Sequence, residues 1–269
     1  MMADAAPRAQ KSLWRSHLLP VASAVVPPAA LLALLALGWQ LVALRNKFLL
    51  PSLGAVGSEL TSHPREYLDA AATTLQETGV GLGVSFVVAF GLAVAMGHFK
   101  VVERAVMPLA VVINVTPVVA LAPGLATALG FGYTPRYIVT GIIVFFPLLI
   151  NSLAGLRSAD PEALRYFVTL NASRWDILYR LRLPSSLPFL FAAARICFPL
   201  SLIGAVVAEF TAAGNENGLG SLIYISDENN YLAGMYSGVF CLSVLGLLVT
   251  LLVVLVERRV LAWHPSVAQ

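Results

Sequence analysis

Charge is the scarcest property of this sequence. Of 269 residues, 12% are charged and 58% hydrophobic, where a soluble domain carries roughly 25% charged residues. Mean hydropathy is +0.82. Lysine occurs only as Lys11, Lys47 and Lys100. A net charge of +3, with no basic–aromatic patch, excludes a nucleic-acid-binding surface. The two cysteines, Cys197 and Cys241, lie in apolar runs without metal or redox spacing, which makes them small buried hydrophobes. No G-x-x-x-x-G-K-[ST] is present and no lysine follows a glycine, so the chain is not a P-loop ATPase. H-E-x-x-H, G-x-S-x-G and paired aspartates within apolar runs are absent as well, which argues against an intramembrane hydrolase. The expectation is a non-enzyme with no catalytic residue, no metal ligand and no cofactor of its own. Asn114-Val-Thr116 matches a glycosylation site, but Pro117 follows it inside an apolar run, and the match is set aside.

What the chain has instead is length in apolar runs. Stretches of about 20 such residues are the signature of membrane-spanning helices. Five are clear, at residues 21–44, 79–97, 105–129, 137–156 and 232–256. A sixth, 188–213, carries Arg195 and Glu209. The resulting expectation is an all-α polytopic membrane protein of about six spans. It comprises a tail at 1–20 (1–12 mobile), one transmembrane domain at 21–260, and a tail at 261–269. Arg8, Lys11 and Arg15 precede the first run as in a signal peptide. That run is longer than a signal core and lacks a small-x-small exit, so it reads as an uncleaved first helix. With the N-terminus in the cytoplasm, the inner segments hold twelve of the arginines and lysines and the outer ones four, with Arg195 inside a span. Basic residues favour the cytoplasmic side, so both termini are placed there. The outer loop from Gly214 to Tyr231 has Glu216, Asp227 and Glu228 and no basic residue, in agreement.

The loop at 157–184 is then cytoplasmic, and it is the one charged region in the middle of the chain. Its DPEALRYFVTLNASRWDILYRLRLP reads as two short helices. Asp160 caps the first, Pro161 takes its first turn, and Glu162 meets the positive end of the dipole. Ala163, Leu164, Phe167 and Leu170 share one side. Asn171 suits a left-handed turn. Ser173-x-x-Asp176 resembles a capping box opening the second helix. Trp175, Leu178 and Leu181 fall on its apolar side, with Arg174, Arg180 and Arg182 off it, and Pro184 and Pro188 close the unit. From pattern alone two readings stand. The pair lies on the membrane with arginines on anionic head groups, or one face docks into a soluble partner through its Arg and Trp.

Motifs across residues 50–260 carry a resemblance. They are LPS at 50–52, TPVVALAPG at 116–124, GFG at 130–132, FFPLLINSLAGLRSADP at 145–161, LPSSLPFLFAAARI at 183–196, VVAEF at 206–210 and GLGSLI at 218–223. Together with Asp160, Pro161, Ala172, Ser173, Leu183 and Pro184 in the loop, they resemble bacterial ABC-importer permeases. This is the binding-protein-dependent transport inner-membrane component family, in its branch for sulfonates, taurine, nitrate, riboflavin and pyrimidine precursors. The resemblance implies a type I importer permease fold whose loop is a coupling helix pair seated on a cytoplasmic ATPase. Coupling residues would be Glu162, Arg165, Phe167, Asn171, Ala172, Ser173, Arg174 and Trp175. It further implies two ATPase subunits carrying ATP and Mg, a second permease copy or paralogue, and an external solute-binding protein. The bacterial inner membrane would be the location, and a small polar solute moved by alternating access the function. An ATP-independent transporter or channel, its loop merely lying on the membrane, is the alternative. The loop departs from the family pattern: Asn171 stands at its glycine, and Arg165, Tyr166 and Phe167 stand at its Glu-Ala-Ala.

A solute path needs polar groups within the spans. Gln76, Asn114, Thr116, Asn151 and Ser201 are the candidates, with Glu77, Thr127 and Ser152 beside them; each alternatively makes a helix–helix hydrogen bond. Pro117, Pro123, Pro147 and Pro199 are kink sites. Arg195 either snorkels to the inner interface or forms a gate. Glu209, near the outer interface, either caps or pairs in the outer loop or serves a proton relay. Gly79-x-x-x-Gly83 is either a close-packing surface or faces lipid.

Overall fold

The computed structural model describes residues 8–46, 48–211 and 217–262. Residues 1–7, Lys47, residues 212–216 and the tail from 263 lie outside them, so the expected mobile tail at 1–12 is described only from Arg8. Among the described residues all regular structure is helical. The chain divides into two compact units, residues 1–61 and 62–269.

In the first unit, α1 (Arg8–Arg45) runs on through Pro27 and Pro28, and α2 is Leu53–Ser62. The connection between them is tied by polar side chains. The Trp39 indole donates to the Pro51 carbonyl (2.9 Å), Leu53 N–H donates to Gln40 Oε1 (3.1 Å), and Ser52 Oγ accepts Ala55 N–H (3.1 Å). These bonds occupy backbone groups that a chain reversal would otherwise leave exposed.

The second unit holds α3 (Pro64–His98), α4 (Lys100–Val115), α5 (Val118–Leu129), α6 (Tyr133–Arg157), α7 (Pro161–Thr169), α8 (Arg174–Ile177), α9 (Leu183–Thr211), α10 (Leu219–Glu228) and α11 (Leu232–Val260). α6 is its centre, packed chiefly between α3 and α9. Leu82, Ala89 and Met96 of α3, Val144, Leu149 and Leu156 of α6, and Ala193 and Cys197 of α9 form the shared core. Close approach is set by glycine. A Cβ on Gly81 would stand 2.7 Å from the Thr140 side chain, whereas Gly79 and Gly83 meet nothing within 4 Å. The packing glycine in GVGLG is therefore its middle one. The Gly79/Gly83 spacing falls on the open side of the same helix.

Among the described residues five helices are long and apolar enough to cross a membrane, and α4 with α5 makes a sixth if the bent pair is one span. That pair turns by 96° at Thr116–Pro117, so residues 105–129 are not one straight helix. Pro117 has no N–H to continue α4 and pushes Thr116 into extended backbone (ψ 127°). Helices continue through Pro123, Pro147, Pro188 and Pro199.

Sequence patterning placed the fifth span too late. α8 continues through a π turn, Leu178–Arg182, directly into α9. Pro184 and Pro188 thus lie inside a helix that starts at Arg174, and they do not end the loop. The π turn explains how. Leu183 N–H reaches back five residues to the Leu178 carbonyl, which shifts the register where the Pro184 ring would meet the carbonyl four residues earlier. Two further helices escaped the sequence reading: α2, and α10 within the expected outer loop.

Candidate functional site

The second unit has a loop end, formed by residues 158–182, and a far end, where α3, α6, α9 and α10 meet.

At the loop end each backbone turn is closed by a local side chain. Asp160 Oδ1 accepts Glu162 N–H (3.0 Å) and starts α7. Asn171 takes φ 51°, and Ala172 N–H donates back to the Phe167 carbonyl (3.0 Å), a left-handed helix exit. Ser173 Oγ accepts Asp176 N–H (3.1 Å) while Asp176 Oδ2 accepts Ser173 N–H (3.3 Å), a complete capping box. Ser158 Oγ donates to the Gly155 and Ser185 carbonyls (2.8 and 3.1 Å), joining the exit of α6 to the entry of α9. Arg157 pairs with Glu103 at 2.6 Å, joining α6 to α4.

The coupling candidates all fall on this loop. Glu162, Arg165, Asn171, Ser173, Arg174 and Trp175 are exposed, while Phe167 and Ala172 are half-buried. Two expectations about its apolar face need correction. Leu170 is 61% exposed and does not join Ala163, Leu164 and Phe167. Trp175 is 62% exposed, whereas Leu178 is buried, so the two do not share one buried side. Trp175 lies instead between His98 and Tyr179, with ring centres 6.0 and 6.3 Å away. Arg182 is half-buried and lies beside Gly97 of α3. A cavity of about 200 Å³ between the end of α3 and the start of α8 is lined by Gly97, His98, Arg174, Ile177 and Arg182.

The far end holds charges that sequence reasoning did not connect. Arg136, in the first turn of α6, is 1% exposed, Glu77 of α3 is 0% and Glu209 of α9 is 3%. Arg136 Nη1 donates to Glu77 Oε1 (2.8 Å) and to the Asn217 carbonyl (2.9 Å). Glu209 accepts from Thr74 Oγ1 (2.7 Å), Gly220 N–H (2.5 Å) and Ser221 N–H (3.2 Å), and Leu219 N–H donates to Thr74 Oγ1 (2.9 Å). The N–H groups at the start of α10 therefore end on Glu209 and Thr74. Gly218 holds φ 123°, and a Cβ there would overlap the Glu209 carboxylate. Of the two roles open to Glu209, the geometry is that of a cap on the outer-loop helix. An arginine and a glutamate, each standing just before an apolar run, were the available signal for Arg136–Glu77. A cleft of about 370 Å³ lies alongside, between Glu66, Asp69 and Thr73 of α3 and Gly218, Leu222 and Ile225.

Arg195 is held by two hydrogen bonds from its guanidinium to Glu257 of α11. The arginine side chain is 51% exposed and the glutamate 7%, so it is a pair between helices rather than a lone snorkelling cation. The path candidates are dispersed. Gln76 donates to Tyr137 Oη (3.2 Å) and Asn114 is exposed. Thr116, Asn151 and Ser201 donate to carbonyls of their own helices, Val112, Pro147 and Phe198. An apolar groove of about 340 Å³ between α3 and α6, with Val80, Val84, Val88, Tyr137, Ile138 and Ile142 in its wall, includes none of the five, nor do the loop-end cavity and the far-end cleft described above.

Against known proteins, residues 85–262 match the family described as binding-protein-dependent transport system inner membrane component. The formylaminopyrimidine transport permease protein ThiX of Halalkalibacterium halodurans is 33% identical over 193 residues, 72% of this chain and 76% of that protein. The taurine transport system permease protein TauC of Escherichia coli is 25% identical over 258 residues, 92% and 93% of the two chains. Among solved structures, an inward-facing conformation of the MetNI methionine ABC transporter superposes with a TM-score of 0.58 at 18% identity. It covers 73% of this chain and 94% of that one, a likeness of fold.

Proposed function

The chain belongs to the family of binding-protein-dependent transport system inner membrane components, and from that premise we propose that its capped loop is where an ATP-hydrolysing subunit engages a permease. The protein is the membrane-spanning permease subunit of an ABC importer. In the proposed arrangement ATP and Mg are bound by two separate cytoplasmic subunits. A second permease copy or paralogue completes the pathway, and an external binding protein delivers the solute. The loop end and both termini face the cytoplasm, and the far end faces outward. ThiX and TauC carry in their names two small polar compounds, and a solute of that class is proposed here. Gln76, Asn114, Thr116, Asn151 and Ser201 are proposed to line its path once the second permease closes around it.

The observation that carries the coupling role is the stiffness of the loop. Asp160, Asn171 and the Ser173–Asp176 box close its joints, and its exit runs without a break into α9. A docked element moves a span only if it does not bend first, and a loop merely lying on lipid needs no such closure. Tyr166, Trp175 and Tyr179 are each more than 60% exposed, and large aromatic anchors of this type dominate docking energies. Arg165, where the family pattern has an acidic residue, gives this loop a positive charge at that position.

The test is transport and ATP hydrolysis in liposomes containing the permease and the ATPase subunit of its own system. The reading predicts solute uptake that requires ATP and is lost in Trp175→Ala and Arg174→Ala. Uptake that proceeds without any nucleotide-binding subunit, or is indifferent to both substitutions, would favour the ATP-independent alternative.

A further inference from the structure

We infer that the cavity between His98, Arg174 and Arg182 is a carboxylate-binding socket, filled by an acidic side chain of the ATPase subunit when that subunit docks. The inference rests on the coupling reading of the loop and specifies its chemistry.

Its volume of about 200 Å³ suits a single acidic side chain and is far too small for a nucleotide. Two of its five lining residues are arginines, and among the described residues neither has an acidic group within salt-bridge distance. Asp176, two residues beyond Arg174, is committed elsewhere. It closes the capping box with Ser173 and faces Arg180 at 3.7 Å. The His98 ring is fixed by Nδ1 against the Val94 carbonyl (2.8 Å) and by Trp175 beside it. The cavity is therefore built from the end of α3 and the start of α8, with an aromatic rim and two planar guanidinium forks. Guanidinium forks match carboxylates in bidentate geometry. A carboxylate seated there would touch α3 and the helix leading into α9 at once. Among the described residues Arg165 is also exposed and in no ion pair, so an acidic partner surface complements the loop. A lipid phosphate would also suit two arginines. A rigid protein ligand is favoured because the exposed Trp175 and Tyr179 rim and the locked turns present one fixed shape.

Two measurements test this on the intact permease in nanodiscs with the purified ATPase subunit of its own system. Binding is measured at low and high salt. Arg174→Glu and Arg182→Glu should each weaken it about 30-fold or more at low salt and flatten its salt dependence. Trp175→Ala should weaken binding and keep that dependence. In the second measurement, Arg174→Lys and Arg182→Lys place an amine in the socket with its charge retained. Treatment with a carbodiimide should then join that amine to an Asp or Glu of the ATPase subunit, located by peptide mapping. If the wild-type permease binds the ATPase subunit but neither lysine variant cross-links to it and salt dependence is unchanged, the socket is overturned while the coupling role stands. If wild type does not bind it at all, the coupling role falls first. If the glutamate variants lose bound phosphatidylglycerol by native mass spectrometry and keep ATPase affinity, the occupant is lipid and the inference is wrong.

Discussion

At the far end Arg136, Glu77 and Glu209 are at most 3% exposed, and each is bonded to a neighbour from another segment. At the loop end Arg165 and Arg174 stand in solvent with no carboxylate in salt-bridge reach among the described residues. Both ends concentrate charge, yet they use it differently. Burying a charge is tolerated only when the partner is already present, so the Arg136–Glu77 pair and the Glu209 cap are internal architecture that holds α10 down, although Glu77 Oε2 has no hydrogen-bond partner among the described residues. An exposed cation carries no such requirement and little stabilising weight by itself. The loop end is complete in its backbone and incomplete in its charge, as expected of a surface whose complement is carried by another chain.

The contrast can be broken, and the largest effect is expected where burial is deepest. Arg136→Met leaves Glu77 without its cation and should cost about 3–5 kcal/mol, read as a sharp fall in melting temperature and in folded yield. Replacing Glu77 by Leu in the same chain should recover much of that loss. At the loop end Trp175→Ala should cost about 2–4 kcal/mol of ATPase affinity with the melting temperature of the isolated permease almost unchanged. If instead it melts the permease, the tryptophan belongs to the internal architecture and the contrast is false. Gly218→Ala puts a methyl group onto the Glu209 carboxylate and a side chain at φ 123°, at about 1–3 kcal/mol. Faster backbone-amide hydrogen exchange at Leu219–Ser221 than elsewhere would locate the damage in α10. The smallest effect is Ser173→Ala, where loss of the cap should cost about 1 kcal/mol. Its readout is sharper than its size, because transport should fall further than assembly when the loop is softened but still docks.

How much of this was legible in the sequence follows from the range of each interaction. Asp160-Pro161, Asn171 and Ser173-x-x-Asp176 act over two or three residues, and each could be read directly. Arg136 bonds across 59 residues to Glu77 and across 81 to Asn217, and Thr74 reaches Glu209 across 135. No local pattern encodes which of these would meet. Arg195 was visible as an oddity, but its partner Glu257 lies 62 residues on in another helix. Gly81 could not be told from Gly79 and Gly83 without knowing which side of α3 faces Thr140. Pro184 misled because a proline stops a regular α-helix and the preceding π turn changes the register there; Pro188, like Pro147 and Pro199, is carried inside a continuing helix. The five to six spans and the family were legible for the opposite reason: each depends on composition or motifs summed over twenty or more residues, which no single exception cancels.

That π turn has a mechanical corollary. From Arg174 to Thr211 the chain is a single rod of 38 residues, about 57 Å at the rise of an α-helix. One tip carries Trp175 and the other carries Glu209, which grips the first amides of α10. A crank of this kind transmits tilt along its whole length, and its softest joint is the wide turn at Leu178–Arg182. A tilt imposed near Trp175 would thus be felt at Glu209 in the far end, with the wide turn at Leu178–Arg182 as the one departure from regular α-helix between them.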